Sequence, residues 1–157
     1  MSFTAYATAV AGSVLTAAFW NQQIRDNGNY LKSYAVGLER YLGGDPAAEV
    51  TDTTFVPIPG ATLVEVDTAG NSGYNALTLE LHATAKVAGG TGTLRLYDVT
   101  AAAAVTGTVT FTNTAIALVK LTLTGLLNAA KHQYRCEVKG AAATDRPNVQ
   151  AAALVWL

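Results

Sequence analysis

Between Leu77 and Val87 the chain alternates without a break. Leu77, Leu79, Leu81, Ala83, Ala85 and Val87 are apolar, and the residues between them, Thr78, Glu80, His82, Thr84 and Lys86, are polar or charged. Successive side chains of an extended strand point to opposite sides, so this pattern gives one apolar face and one hydrated face: a half-buried antiparallel strand. The same period places further strands near 51–58, 61–67, 93–99, 105–112, 117–124, 131–139 and 148–157. Turn chemistry separates them: Pro59-Gly60, the run from Gly70 to Gly73, Ala88-Gly89-Gly90-Thr91-Gly92, Gly125, Gly140 and Pro147, with Ala101 to Ala104 as a link.

Eight short strands in roughly a hundred residues, with turns every 8 to 12, predict a two-sheet antiparallel β-sandwich of jelly-roll-like type. Strand order is open at this point. The alternation assigns Leu77, Leu79, Leu81, Val119, Leu121, Leu123, Tyr134 and Val138 to the core, and Cys136, sharing their parity on its strand, becomes a buried, unpaired thiol. The final strand runs to Leu157, which ties this end of the chain into a sheet.

Ahead of the sandwich the period is different. Thr16 can cap a helix that begins at Ala17 and Ala18. Trp20, Ile24, Asn27, Leu31, Tyr34, Leu38 and Tyr41 then follow in alternating four- and three-residue steps, the heptad spacing that keeps one seam facing a partner helix. Gly43-Gly44-Asp45-Pro46 supplies the stop, and Asn27-Gly28-Asn29 can divide the helix into 17–27 and 29–42. The expected organisation is an arm and helical attachment or oligomerisation segment over 1–46, followed by a β-sandwich domain over 47–157. The seven heptad residues either line a contact between copies or pack on the chain's own sandwich. Asn27 occupies a seam position where an apolar residue is expected, as polar residues that fix register and oligomer state do. A homotrimer with Asn27 inside the threefold contact is therefore expected, the alternative being an outward-facing Asn27 that caps a helix ending before Gly28.

Charged residues make up 13% of the chain and hydrophobic ones 50%, against roughly 25% charged in an average soluble domain. That shortfall points to buried subunit surface. The net charge of −1 is spread singly, which gives no footprint for nucleic acid or an anionic membrane. Residues 1–24 carry no charge, but Thr4, Thr8, Gly12, Ser13 and Thr16 interrupt the apolar run and no basic segment precedes it, so neither a signal peptide nor a membrane span is expected. Val99 to Val119 is likewise uncharged but reads as two strands.

Residues able to do chemistry are few and scattered. Ser2, Ser13, Ser33 and Ser72 lack the Gly-x-Ser-x-Gly elbow of a hydrolase nucleophile, and Ser72 sits in a hairpin tip. His132 and Cys136 share a face, but four residues of strand separate them by about 13 Å, too far to hold one metal. His82 belongs to a polar face. Glu65, Asp67, Glu80, Asp98 and Glu137 could pair across strands for acid–base hydrolysis, though lone strand carboxylates usually serve as solvated edge charges. No phosphate-binding glycine loop lies between a strand and a helix. The expectation is a chain with no catalytic residue, no metal and no cofactor.

The segment from Val14 to Leu31, with Thr16-Ala17-Ala18, Trp20-Asn21 and Arg25-Asp26-Asn27 at fixed spacing, resembles an N-terminal pattern of tailed-bacteriophage virion proteins, in which a β-rich domain often follows. The stretch Thr93 to Asp98 is similar to strands of β-sandwich virion domains. The resemblance implies a non-enzymatic virion component assembled in the host cytoplasm, commonly trimeric, with itself and major capsid or tail proteins as partners. A capsid-decoration or head-fibre subunit held by its N-terminal segment suits a chain too short for a shaft and a tip. A tail-fibre or tail-appendage subunit with an adhesive tip, bearing Tyr74 or Tyr97, is the close rival, and a small carbohydrate-active β-sandwich hydrolase the distant one.

Overall fold

The computed structural model describes residues 39–67, 78–123, 127 and 130–157. Within them the alternating segments form strands: β1 (Glu39–Gly43), β2 (Val56–Pro57), β3 (Val64–Asp67), β4 (Leu79–Lys86), β5 (Gly92–Asp98), β6 (Ala103–Ala104), β7 (Val109–Phe111), β8 (Ala117–Leu123), β9 (Lys131–Gly140) and β10 (Asn148–Trp156). Every pairing is antiparallel, and no helix occurs among the described residues.

One sheet has the order β1-β10-β4-β8. The other has the order β2-β9-β5-β6, with β3 also on β9 and β7 also on β5. β3 pairs with residues 131–134 of β9 and β2 with 137–138, so the two short strands occupy successive stretches beside one long one. β7 and β6 divide β5 in the same way, at 92–94 and 97–98. Ten strands thus fill eight positions in two sheets.

The inward rows of both sheets form one core. Leu154, Leu81 and Leu121 lie abreast in the first sheet, and Leu94 with Val138 and Leu96 with Cys136 in the second; all belong to one cluster of buried side chains. Burying a leucine contributes about 1.5–3 kcal/mol, so this cluster holds the sheets together. Leu79, Leu81, Val119, Leu121, Leu123, Tyr134 and Val138 are buried as their parity requires, and so is Cys136. Leu77 lies outside the described residues.

One expectation needs correction. Residues 39–42, read as the last helical turn, belong to strand β1, which pairs with β10 from Glu39↔Val155 to Gly43↔Ala152. The sheet offers those backbone groups a ladder, and Leu42 goes into the core at 0% exposure, which outweighs the heptad spacing of Tyr41. The glycines that were to stop a helix instead end a strand. Gly43 has φ of 109°, and a Cβ there would collide with the carbonyl of Gly60, so the close passage of these two turns requires glycine.

Two side chains pin the loops at one end of the sheets. Asn148, buried, donates from Nδ2 to the carbonyls of Asp45 (3.1 Å) and Ala48 (2.5 Å), fixing the exit from β1. Asp145 accepts from the amides of Ala141 (3.0 Å) and Ala142 (2.8 Å), while its own carbonyl receives the amide of Ala88 (2.9 Å). The β9–β10 loop is thereby fastened to the β4–β5 turn. Amides of Ala142, Thr91 and Ala141 around the carboxylate hold its pKa below the usual range.

Candidate functional site

Of the seven residues assigned to attachment or oligomerisation, Trp20, Ile24, Asn27, Leu31, Tyr34 and Leu38 lie outside the described residues. Tyr41 is on the outward side of β1 with 55% of its surface exposed. The site with internal geometry lies elsewhere, on the outer face of the second sheet.

Two central strands build it. Leu94 and Leu96 of β5 and Cys136 and Val138 of β9 point inward, so Arg95, Tyr97, Arg135, Glu137 and Lys139 point outward. The register sets Arg95 opposite Glu137 and Tyr97 opposite Arg135. The same period makes Arg135 the same-face neighbour of Glu137 along β9. Glu137 therefore has a guanidinium across from it and another beside it.

The contacts follow. Arg95 reaches Oε2 of Glu137 from Nε (2.8 Å) and Nη2 (2.6 Å), and Arg135 reaches Oε1 from Nε (2.9 Å) and Nη2 (2.7 Å). Three charge-assisted hydrogen bonds, with the Arg95 Nη2 contact as a further ion pair, engage both oxygens of the carboxylate. The Glu137 side chain is 2% exposed, although it projects from the outside of the sheet, while those of Arg95 and Arg135 are 22% and 29% exposed. Phe55, from the segment ahead of β2, lies beneath the Arg95 guanidinium at 4.0 Å from its ring centre and 5.0 Å from Lys139 Nζ. Tyr97 lies 5.2 Å from Arg95 and 5.0 Å from Arg135. Each ring thus has two cations within cation–π range.

Glu80, Glu65 and Asp98 are also paired. Glu80 bonds to His82 Nε2 (2.6 Å) and accepts from Thr122 Oγ1 (3.2 Å). The His82 bond leads in lowering its pKa, and burial partly opposes it. Glu65 pairs with Lys131 (2.8 Å), the residue opposite Asp67 in register. Asp98 bonds to His132 Nδ1 (2.7 Å) and accepts the amide of Ala101 (2.9 Å), closing the turn into β6. His132 in turn stacks beside Tyr134 with ring centres 6.4 Å apart. Asp98 and Glu137, read from sequence as solvated charges, are 3% and 2% exposed. Partners explain this, because a carboxylate can leave water only when its oxygens are bonded and its charge is met.

Sequence reasoning singled out Tyr97 and Glu137 separately but missed Arg95, Arg135, Lys139 and Phe55. The signal available was shared outward parity of five charged or aromatic residues on two strands; the register that makes them one cluster is not readable without strand order. Cys136 is buried, and desolvation, then the neighbouring Glu137 charge, pushes its pKa far above the ordinary thiol range. Among the described residues no group of three His, Cys, Asp or Glu side chains is arranged to hold a metal, and no helix is long and apolar enough to cross a membrane. Neither a protein-family model nor a curated protein matches the chain.

Proposed function

We propose that the chain is a non-enzymatic structural subunit of a tailed-bacteriophage virion, a homotrimer that decorates the capsid or forms a head fibre and attaches through its N-terminal segment. The observation that carries this reading is the pattern from Thr16 to Leu31, with Trp20-Asn21 and Arg25-Asp26-Asn27 at fixed spacing ahead of a β domain. The strand orders add support. Counting β2 with β3 and β6 with β7 as single positions, the orders β1-β10-β4-β8 and β2/β3-β9-β5-β6/β7 support the jelly-roll reading, an architecture frequent in viral shells; that support is analogy of fold.

The paired carboxylates favour a structural role over hydrolysis. A glycosidase needs one carboxyl group whose pKa is raised so that it can give up a proton, whereas Glu80 and Asp145 are held below the usual carboxylate range. The tail-appendage reading has one observation in its favour, the cation–aromatic face around Tyr97.

Immunogold labelling of purified particles with antibody against this chain should mark the head, and labelling confined to the tail would transfer the proposal to the rival. Sedimentation equilibrium of the full chain should give a trimer, and Asn27→Leu a more stable or differently sized oligomer. Monomers in both cases, with unchanged melting, would remove the seam.

A further inference from the structure

We infer that the outer face of the second sheet binds oxyanions carried on an acidic polysaccharide, with Arg95, Arg135 and Lys139 as its cations and Tyr97 and Phe55 as its apolar floor. The inference holds whether or not the chain belongs to a virion.

The charge count is the first argument. One guanidinium would neutralise Glu137, yet Arg95 and Arg135 both bond to it and Lys139 shares Phe55 with Arg95. Three positive charges against one negative leave two in excess on a partly exposed surface. On the same side of the sheet, Glu65 pairs with Lys131 and Asp67 lies opposite Lys131 in register, so the face as a whole keeps one positive charge in excess. The excess is an attractive field for anions.

The second argument is unused donor capacity. A guanidinium has five N–H groups. Arg135 gives one from Nε and one from Nη2 to Glu137, and Arg95 one from Nε with its Nη2 in ion-pair contact, which leaves each arginine at least three, including both on Nη1. The shared carboxylate and the rings fix the two forks, so a ligand meets donors already oriented and the ordering cost of binding falls. The free edges suit carboxylate, sulfate or phosphate oxygens, which arginine grips with two parallel bonds.

The third argument selects the carrier. β5 lies between β9 and β6/β7, and β9 between β2/β3 and β5, so a peptide on this face finds no free strand edge to extend. A nucleic acid calls for a broader basic stripe than three cations on a chain of net charge −1. An acidic polysaccharide presents oxyanions at intervals, with C–H faces between them that can rest on ring edges.

The test measures binding of the immobilised full chain to heparin (sulfated), polygalacturonate (carboxylated), dextran (neutral) and poly-L-glutamate (carboxylate on a peptide). Binding to heparin, polygalacturonate or both, weakened by salt and absent for dextran, is expected, and the preferred polymer identifies the oxyanion. The double variant Arg95→Lys/Arg135→Lys keeps the charge and loses the forks, and should weaken binding by roughly tenfold or more. Lys139→Gln, outside the bonds to Glu137, should fold normally and weaken it by about three- to tenfold, so the inference stays testable if the double variant fails to fold. Lys120→Gln on the outer face of the other sheet should change nothing. Failure to bind either acidic polysaccharide, equal or tighter binding of poly-L-glutamate, or equal loss with Lys120→Gln would overturn it.

Discussion

The outward faces of the two sheets follow the same alternation and reach different physical states. On the first sheet the outward rows are Tyr41, Ala153, His82, Lys120 and Glu39, Val155, Glu80, Thr122. Tyr41, Glu39, Lys120 and Thr122 are exposed there, and the polar links are local: Glu80 with His82 two residues on and with Thr122 across the pair. On the second sheet Arg95, Glu137, Arg135 and Tyr97 interlock, and Glu137 is as dry as a core residue. Strand parity decides which side of a sheet a residue occupies, while its neighbours decide whether that side is wet. A small or flexible neighbour leaves a charge in water, whereas two guanidiniums and an aromatic ring take it out.

The inner faces set the scale for that difference, because they are alike. Leu81 of the first sheet and Leu96 of the second are 1% and 0% exposed and belong to one cluster. Leu81→Ala and Leu96→Ala are each expected to cost about 2–5 kcal/mol by loss of buried methyl groups and the cavity left behind. Urea unfolding of both variants measures this. A cost below roughly 1 kcal/mol at one site only, far under the range for such truncations, would show that the sheets do not share a core, and the comparison of their outer faces would lose its common reference.

Glu137→Gln should come next. The amide keeps the shape of the side chain but removes the charge that two guanidiniums face, so each is left with weaker partners. Hydrogen bonds to charged groups are worth about 1.5–3 kcal/mol and breaking a buried ion pair about 3–5. Water reaches the 22% and 29% exposed arginines, so the lower range is expected, with a fall in urea midpoint at unchanged slope. A loss no larger than that of an ordinary surface substitution would mean that the network is ornament to the fold.

Much of this architecture was legible as period. β4, β5, β8, β9 and β10 fall within two residues of the segments whose alternation announced them, because a face buried along its whole length fixes every second residue. β1 was not, since Leu38 and Tyr41 continue a heptad count and Tyr41 suits a strand as readily, and only pairing with β10 distinguishes the two. The cluster around Glu137 was not either. Its parts lie on two strands and a loop, at 55, 95–97 and 135–139, and only strand order and register bring them together. Tertiary pairing carries that information, and local pattern does not.

Glu80→Gln is the counterpart of Glu137→Gln on the first sheet and should have the smallest effect. Its bond to His82, with a lesser one from Thr122, holds the carboxyl below the usual range. A carboxylate whose folded pKa is depressed adds stability that is fully present above its unfolded pKa, about 4.3, and is lost as pH falls through the lower folded value. The wild-type chain should therefore exceed Glu80→Gln in stability at pH 6, by less than about 1 kcal/mol, as for pairs that water can reach. The two should converge as pH falls below the unfolded value and Glu80 takes up its proton. Unfolding curves at pH 6, 4 and 3 measure the gap. A gap at pH 6 matching that of Glu137→Gln would erase the contrast between the two faces, and a gap that widens on acidification would reverse the sign assigned to Glu80.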